Sequence, residues 1–171
     1  QLYGMTQHRD LFTPRQLVAL TTFSDLVSEA REQIRADAEA AFAADGREDD
    51  DTPLRDGGAG ARAYAEAVSV YLAFGVDRGT DYWSGNVTWT PGGEFVGHTF
   101  TRQAIPMTWD FAEANPFSDS SGNWLGAIDW IARVLDRLVP YSNGEAIQKD
   151  ATDLSGIQAI PISTDPPYYD N

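Results

Sequence analysis

A chain of 171 residues with 42% hydrophobic content, five Trp, seven Tyr and eight Phe has the make-up of an ordinary folded domain, not of a disordered segment. Its 26 acidic residues against 12 basic ones, a net charge of −14, argue against phosphate neutralisation as its own source of affinity for nucleic acid. The absence of cysteine removes disulfides, thiolate metal sites and any Cys nucleophile, including the one that methylation of C5 of cytosine requires.

Eleven of the twelve basic residues are arginine and only Lys149 is lysine. Two readings of this surface stay open. It is an acidic, solvated exterior with no message about partners, or it is a halophilic adaptation, in which an acidic, lysine-poor surface stays hydrated while salt screens its self-repulsion. No run approaches the length of about 18 apolar residues that spans a bilayer, and the first thirty residues lack a signal-peptide pattern, so a cytoplasmic location without membrane contact is expected.

Thr13-Pro14 has the form of an N-cap followed by proline at the first helical position. Leu17, Leu20, Phe23, Val27, Ala30 and Ile34 then recur at helical spacing, which predicts a long amphipathic helix over 14–44. Gly46, the run Glu48-Asp49-Asp50-Asp51, Pro53 and the glycines at 57, 58 and 60 predict an exposed acidic linker over 45–60. A second helix over 61–78 is predicted from Tyr64, Val68, Tyr71, Leu72 and Val76 on one face, packed against the first.

Alternation replaces helical spacing from Asp81, with Val87 and Trp89 before Pro91-Gly92-Gly93 and Phe95 after it, and predicts a small hairpin within an irregular region that runs to 123. Residues 115–122 are polar enough for a substrate loop, although Ser118 or Ser120 is more simply a cap for the next helix. Trp124, Ile128, Ile131 and Leu135 mark that third helix, ending near Pro140. The segment 124–171 reads as α/β, with a short apolar stretch before Asp150 and a strand over 157–164 that delivers Asp165 at its carboxyl end, the edge where open α/β sheets bind ligands. Pro161 inside that strand shortens it, since proline belongs at edges, bulges or strand starts. No internal repeat is visible, and a single domain, or part of one, is expected over 1–171.

The string that carries chemistry is Asp165-Pro166-Pro167-Tyr168. At average residue usage it arises by chance in roughly one chain of this length in a thousand. An exocyclic amine on a purine ring is a poor nucleophile because its lone pair is delocalised. A carboxylate and a backbone carbonyl that accept its two N–H groups draw the nitrogen toward a reactive geometry. Asp165 can supply the carboxylate, Pro166 the carbonyl, and the two prolines, Pro166 and Pro167, stiffen the loop. Tyr168 offers an aromatic face for a base flipped out of the duplex. The plainer alternative is that the prolines end a strand and the last residues form a tail.

Asp165-Pro166-Pro167-Tyr168-Tyr169-Asp170-Asn171 resembles motif IV of the adenine-N6 DNA methyltransferases. The stretches 10–20 (DLFTPRQLVAL) and 104–124 (AIPMTWDFAEANPFSDSSGNW) resemble the DUF1156-containing adenine-specific DNA methylases. The resemblance implies S-adenosyl-L-methionine as methyl donor, an adenine of DNA as acceptor, and an α/β fold, here a partial Rossmann-like methyltransferase fold with long N-terminal helices and a small hairpin insertion. It implies catalytic roles for Asp165, Pro166, Pro167 and Tyr168, and contact of Asp150 with the adenine of the donor. An ordinary solvated turn is the competing reading of Asp150.

The glycine-rich donor-binding motif of that family does not occur in the chain. Asp56-Gly57-Gly58-Ala59-Gly60 follows an acidic linker and not a strand, so it lacks the rigid support of such a motif. Both ends of the chain read as internal to a longer enzyme, and DNA contact is expected through that complete enzyme. His8 and His98 are isolated in sequence, and no metal site is expected. Two alternatives remain: methylation of another conjugated amine, such as N2 of guanine in RNA, and a non-catalytic helical interaction module.

Overall fold

The computed structural model describes residues 4–102, 104–105, 107–138, 148–150, 152–153, 155–156 and 163. The chain divides into two units, Gln1–Leu138 and Val139–Asn171. The expected strand over 157–164 and the Asp165-Pro166-Pro167-Tyr168 motif lie outside the described residues.

The first unit is built on α1, Pro14–Ala44. Its start is set by a reciprocal cap: Thr13 Oγ1 accepts the Gln16 N–H at 3.3 Å, and Gln16 Oε1 accepts the Thr13 N–H at 2.8 Å. Pro14 sits where no intrahelical donor is needed. The second helix, α2, runs Ala61–Tyr82, one turn beyond the expected 61–78. The two pack as an antiparallel hairpin. Phe23 meets Trp83 at one end, with ring centroids 5.2 Å apart, and Arg35 and Arg62 converge on Asp51 at the other.

The buried face of α2 differs from the expected one. Ala61, Ala65, Gly75, Gly79 and Tyr82 are buried, with Val68 and Leu72 half-buried between them, a four-three spacing that keeps one seam toward a neighbouring helix. Tyr64, assigned to that face in the sequence, is instead 55% exposed. Small residues make the seam because the neighbours come close. A Cβ at Gly75 would lie 3.0 Å from both Ile128 Cδ1 and the Trp124 ring of the third helix.

That helix, α3, spans Trp124–Leu135 and is capped by Asn123, whose side-chain oxygen accepts the Gly126 N–H at 2.6 Å. Ser118 and Ser120, the capping candidates from the sequence, bond to each other at 2.8 Å, and the Ser120 carbonyl accepts from the Asn123 amide. Between α2 and α3 lies a hairpin, β1 (Trp89–Thr90) paired antiparallel with β2 (Phe95–Val96), with Trp89 opposite Val96 and Thr90 opposite Phe95. Leu20, Phe23, Tyr82, Trp83, Val87, Val96 and Ala114 form the core, with Phe12, Val76 and Trp124 against it.

This architecture overturns the expected α/β, partial Rossmann-like fold. Among the described residues there are three α-helices and one two-stranded antiparallel hairpin, and no parallel sheet. The physical reason is in the spacing. Apolar and small residues recur at helical intervals through 14–44, 61–82 and 124–135, and the one alternating stretch is too short for more than a hairpin. No helix among the described residues is long and apolar enough to cross a membrane.

The linker over 45–60 is exposed for most of its length but is tied down. Asp49 Oδ1 accepts the Ala61 N–H at 2.8 Å and so caps α2, whose preceding residue, Gly60, has no side chain to do it. Glu66 accepts the Leu54 N–H at 2.8 Å and the Arg62 guanidinium at 3.1 Å. A Cβ at Gly58 would fall on the Thr52 carbonyl and one at Gly60 on the Asp50 carbonyl. These two glycines are therefore demanded by the close fold of the loop, which accounts for the glycine-rich string there without a nucleotide.

Candidate functional site

Of the residues assigned to chemistry in the sequence, Asp150 alone is described. It is exposed, and its Oδ1 accepts both the Thr152 hydroxyl at 2.7 Å and the Thr152 N–H at 2.8 Å. This Asx turn holds the carboxyl below the usual carboxylate range, the hydroxyl bond contributing most and the backbone bond next. The turn repeats at once. Asp153 Oδ1 accepts the Ser155 N–H at 2.9 Å, and Lys149 Nζ lies 3.2 Å from Asp153 Oδ2. The Asp-x-Thr/Ser pattern has a third instance in the acidic linker, where Asp50 accepts from Thr52 N and Oγ1.

Asp150 thus forms a turn, as the competing reading had it. The turn occupies Oδ1 and leaves Oδ2 without a hydrogen bond among the described residues. An ionised, exposed carboxylate oxygen of this kind has the right chemistry to accept from an amine or hydroxyl of a bound nucleoside, so its acceptor capacity is compatible with the expected role.

In the first unit the structure assembles a polar chain that the sequence did not bring together. Asp81, near the end of α2, accepts His98 Nδ1 at 2.6 Å through Oδ2, and the Thr99 and Phe100 N–H groups, each at 2.9 Å, through Oδ1. A carboxylate of this kind only accepts, so Nδ1 is the donor in this pair. Nε2 lies 3.4 Å from the Tyr82 hydroxyl, and Arg78 Nη2 lies 3.5 Å from that same oxygen. Thr99 Oγ1 donates to the Asp81 carbonyl at 2.7 Å and pairs with the fully buried Ser84 hydroxyl at 2.7 Å.

The groups in this chain chiefly satisfy one another. Its chemistry is that of a joint, pinning the exit of β2 to the last turn of α2. His98 stands seventeen residues from Asp81 and no motif links them. Only the hairpin, which folds the chain back onto α2, could have signalled the pair.

No family model, curated protein or solved structure matches the chain. No group of His, Cys, Asp or Glu among the described residues is arranged to hold a metal ion.

Proposed function

We propose that the chain supplies the amine-holding segment of a cytoplasmic, S-adenosyl-L-methionine-dependent DNA methyltransferase acting on N6 of adenine, in the manner of the DUF1156-containing adenine-specific DNA methylases it resembles. One observation carries this reading: the string Asp165-Pro166-Pro167-Tyr168, whose residue types match the needs of amine activation. S-adenosyl-L-methionine, when bound, supplies an electrophilic methyl group. The Asp165 carboxylate and the Pro166 carbonyl accept the two N–H groups of the adenine amine and orient its lone pair. Pro167 limits the loop to one backbone path, and Tyr168 stacks the flipped base. Asp150 accepts a hydrogen bond from the donor's adenine through its unshared carboxylate oxygen. Contacts with DNA belong to the complete enzyme, since this stretch carries a net charge of −14.

The test is transfer of a labelled methyl group by the complete gene product to DNA and, separately, to RNA. Label on N6 of adenine in DNA is the expected result. Transfer to RNA alone would replace this reading with an RNA amino-methyltransferase, such as one acting on N2 of guanine.

A second reading, a non-catalytic helical interaction module, is favoured by α3. Leu125 (76%), Trp130 (57%) and, beyond its last turn, Leu138 (59%) are exposed, an unusual share of apolar surface for a helix of twelve residues. Methylation that survives Asp165→Ala in the complete protein would select this second reading.

A further inference from the structure

A cleft of about 240 Å³ lies between the last turns of α2, the loop before α3 and the first turns of α3, and shares Arg78 and Tyr82 with the polar chain of Asp81 and His98. Three aromatic residues, Tyr82, Trp83 and Trp130, line it together with Arg78. The Arg78 guanidinium carbon lies 5.5 Å from the centroid of the Tyr82 ring and 5.8 Å from that of Trp130. Trp130 is 57% exposed. Arg15, Arg31, Arg35, Arg55, Arg62 and Arg133 each reach a carboxylate, whereas Arg78 meets none within ion-pair distance among the described residues. Its charge is set against aromatic faces, an arrangement that also recognises stacked heterocycles.

The polar groups on the cleft narrow the ligand. Asp119 is exposed and, like the Ser121 hydroxyl, makes no hydrogen bond among the described side chains. The amide oxygen of Asn123 already takes the Gly126 N–H at 2.6 Å, so this donor of the α3 N-terminus is not open to an anion. The lining carries one guanidinium and one carboxylate, so it has no net charge to attract a phosphate. What remains on offer is flat surface for stacking, one strong acceptor and one hydroxyl. The volume is below the usual range for a drug-sized ligand and suits a single fused ring system.

We propose that this cleft binds a neutral, flat, amine-bearing heteroaromatic ring of purine size, stacked against Arg78 and Trp130 with its amine donating to Asp119. The assignment does not depend on the methyltransferase reading. The cleft belongs to the helical unit, and Asp150 is not among its described lining residues.

The experiment is a titration of the 171-residue chain, followed by nuclear magnetic resonance, with adenosine, with inosine as a purine nucleoside lacking the exocyclic amine, and with inorganic phosphate. The Trp130 indole N–H is assigned by its disappearance in Trp130→Phe. Adenosine is expected to shift it saturably, inosine several-fold more weakly, and phosphate not at all. Asp119→Asn is expected to bring adenosine down to the level of inosine, and Arg78→Gln or Trp130→Ala to abolish both, with helix content unchanged by circular dichroism. The absence of a saturable adenosine shift overturns the proposal. So does a response to phosphate, equal binding of inosine, or adenosine binding undiminished in both Arg78→Gln and Trp130→Ala.

Discussion

The Asp49 carboxylate accepts the Ala61 N–H at 2.8 Å across twelve residues of chain, so the acidic linker caps the helix it leads into. Asp49→Ala removes the acceptor and leaves that N–H without its partner. A loss of about 1 kcal/mol in urea unfolding is expected, as for other N-caps, and Asp49→Asn should retain most of it. No loss in Asp49→Ala would show that the bond is not a cap in solution.

The glycines of the same loop are expected to differ in sensitivity. Gly57 has φ +84° with open space where a Cβ would go, so Gly57→Ala strains only the backbone, by about 1 kcal/mol. Gly58→Ala drives a methyl into the Thr52 carbonyl and should cost about 2–3 kcal/mol, as overpacking does. Equal unfolding midpoints for the two variants would contradict the close fold of the loop.

Acid should loosen the linker. Its hydrogen bonds to the Thr52 hydroxyl and N–H hold the Asp50 carboxyl below the usual range, and the Leu54 N–H, with Arg62 second, does the same for Glu66. The folded state prefers the ionised form of each group. Their contribution is therefore present above about pH 4, where the unfolded carboxyls are also ionised, and is lost as pH falls through the lower folded values. Melting temperature should fall on that limb, and the slope should be shallower in Glu66→Gln. Asp50 is exposed and Glu66 only half-buried, so solvent screening keeps the change modest. A slope unchanged in Glu66→Gln would remove this residue from the account.

In the complete gene product, Asp165→Ala should lower the methylation rate by about 10²–10³-fold, the usual cost of one preorganised partner of the reacting group. Binding of S-adenosyl-L-methionine, measured by calorimetry, should persist in this variant. Loss of donor binding together with activity would move Asp165 from holding the amine to holding the donor.

What could be read in the sequence, and what could not, follows from the kinds of residues that carry each element. The start of α1 was legible because Thr13 and Pro14 are local signals that need no tertiary partner. The seam of α2 was not, because Ala61, Ala65, Gly75 and Gly79 are weakly hydrophobic, and their value lies in what can approach them, as the α3 side chains approach Gly75 and the Trp83 ring approaches Gly79. Large residues such as Tyr64 drew the face the wrong way. The cap of α3 was read three residues early or more, since Ser120 and Asn123 are both good caps and only the path of the chain decides between them. The α/β expectation came from the resemblance and from 157–164, while the described residues carry helical spacing. The polar chain from Asp81 to Arg78 was invisible because its partners meet only after the hairpin folds back.

The alanines and glycines of the α2 seam have a thermodynamic consequence. Large side chains surrender rotamer freedom when a helix pair closes, but Ala61, Ala65, Gly75 and Gly79 have none to surrender. The main entropic cost at these positions falls on the backbone, and much of that is spent when α2 becomes helical. Closing the tertiary packing around α2 then freezes little more at these positions, so the seam gains close packing at low entropic cost.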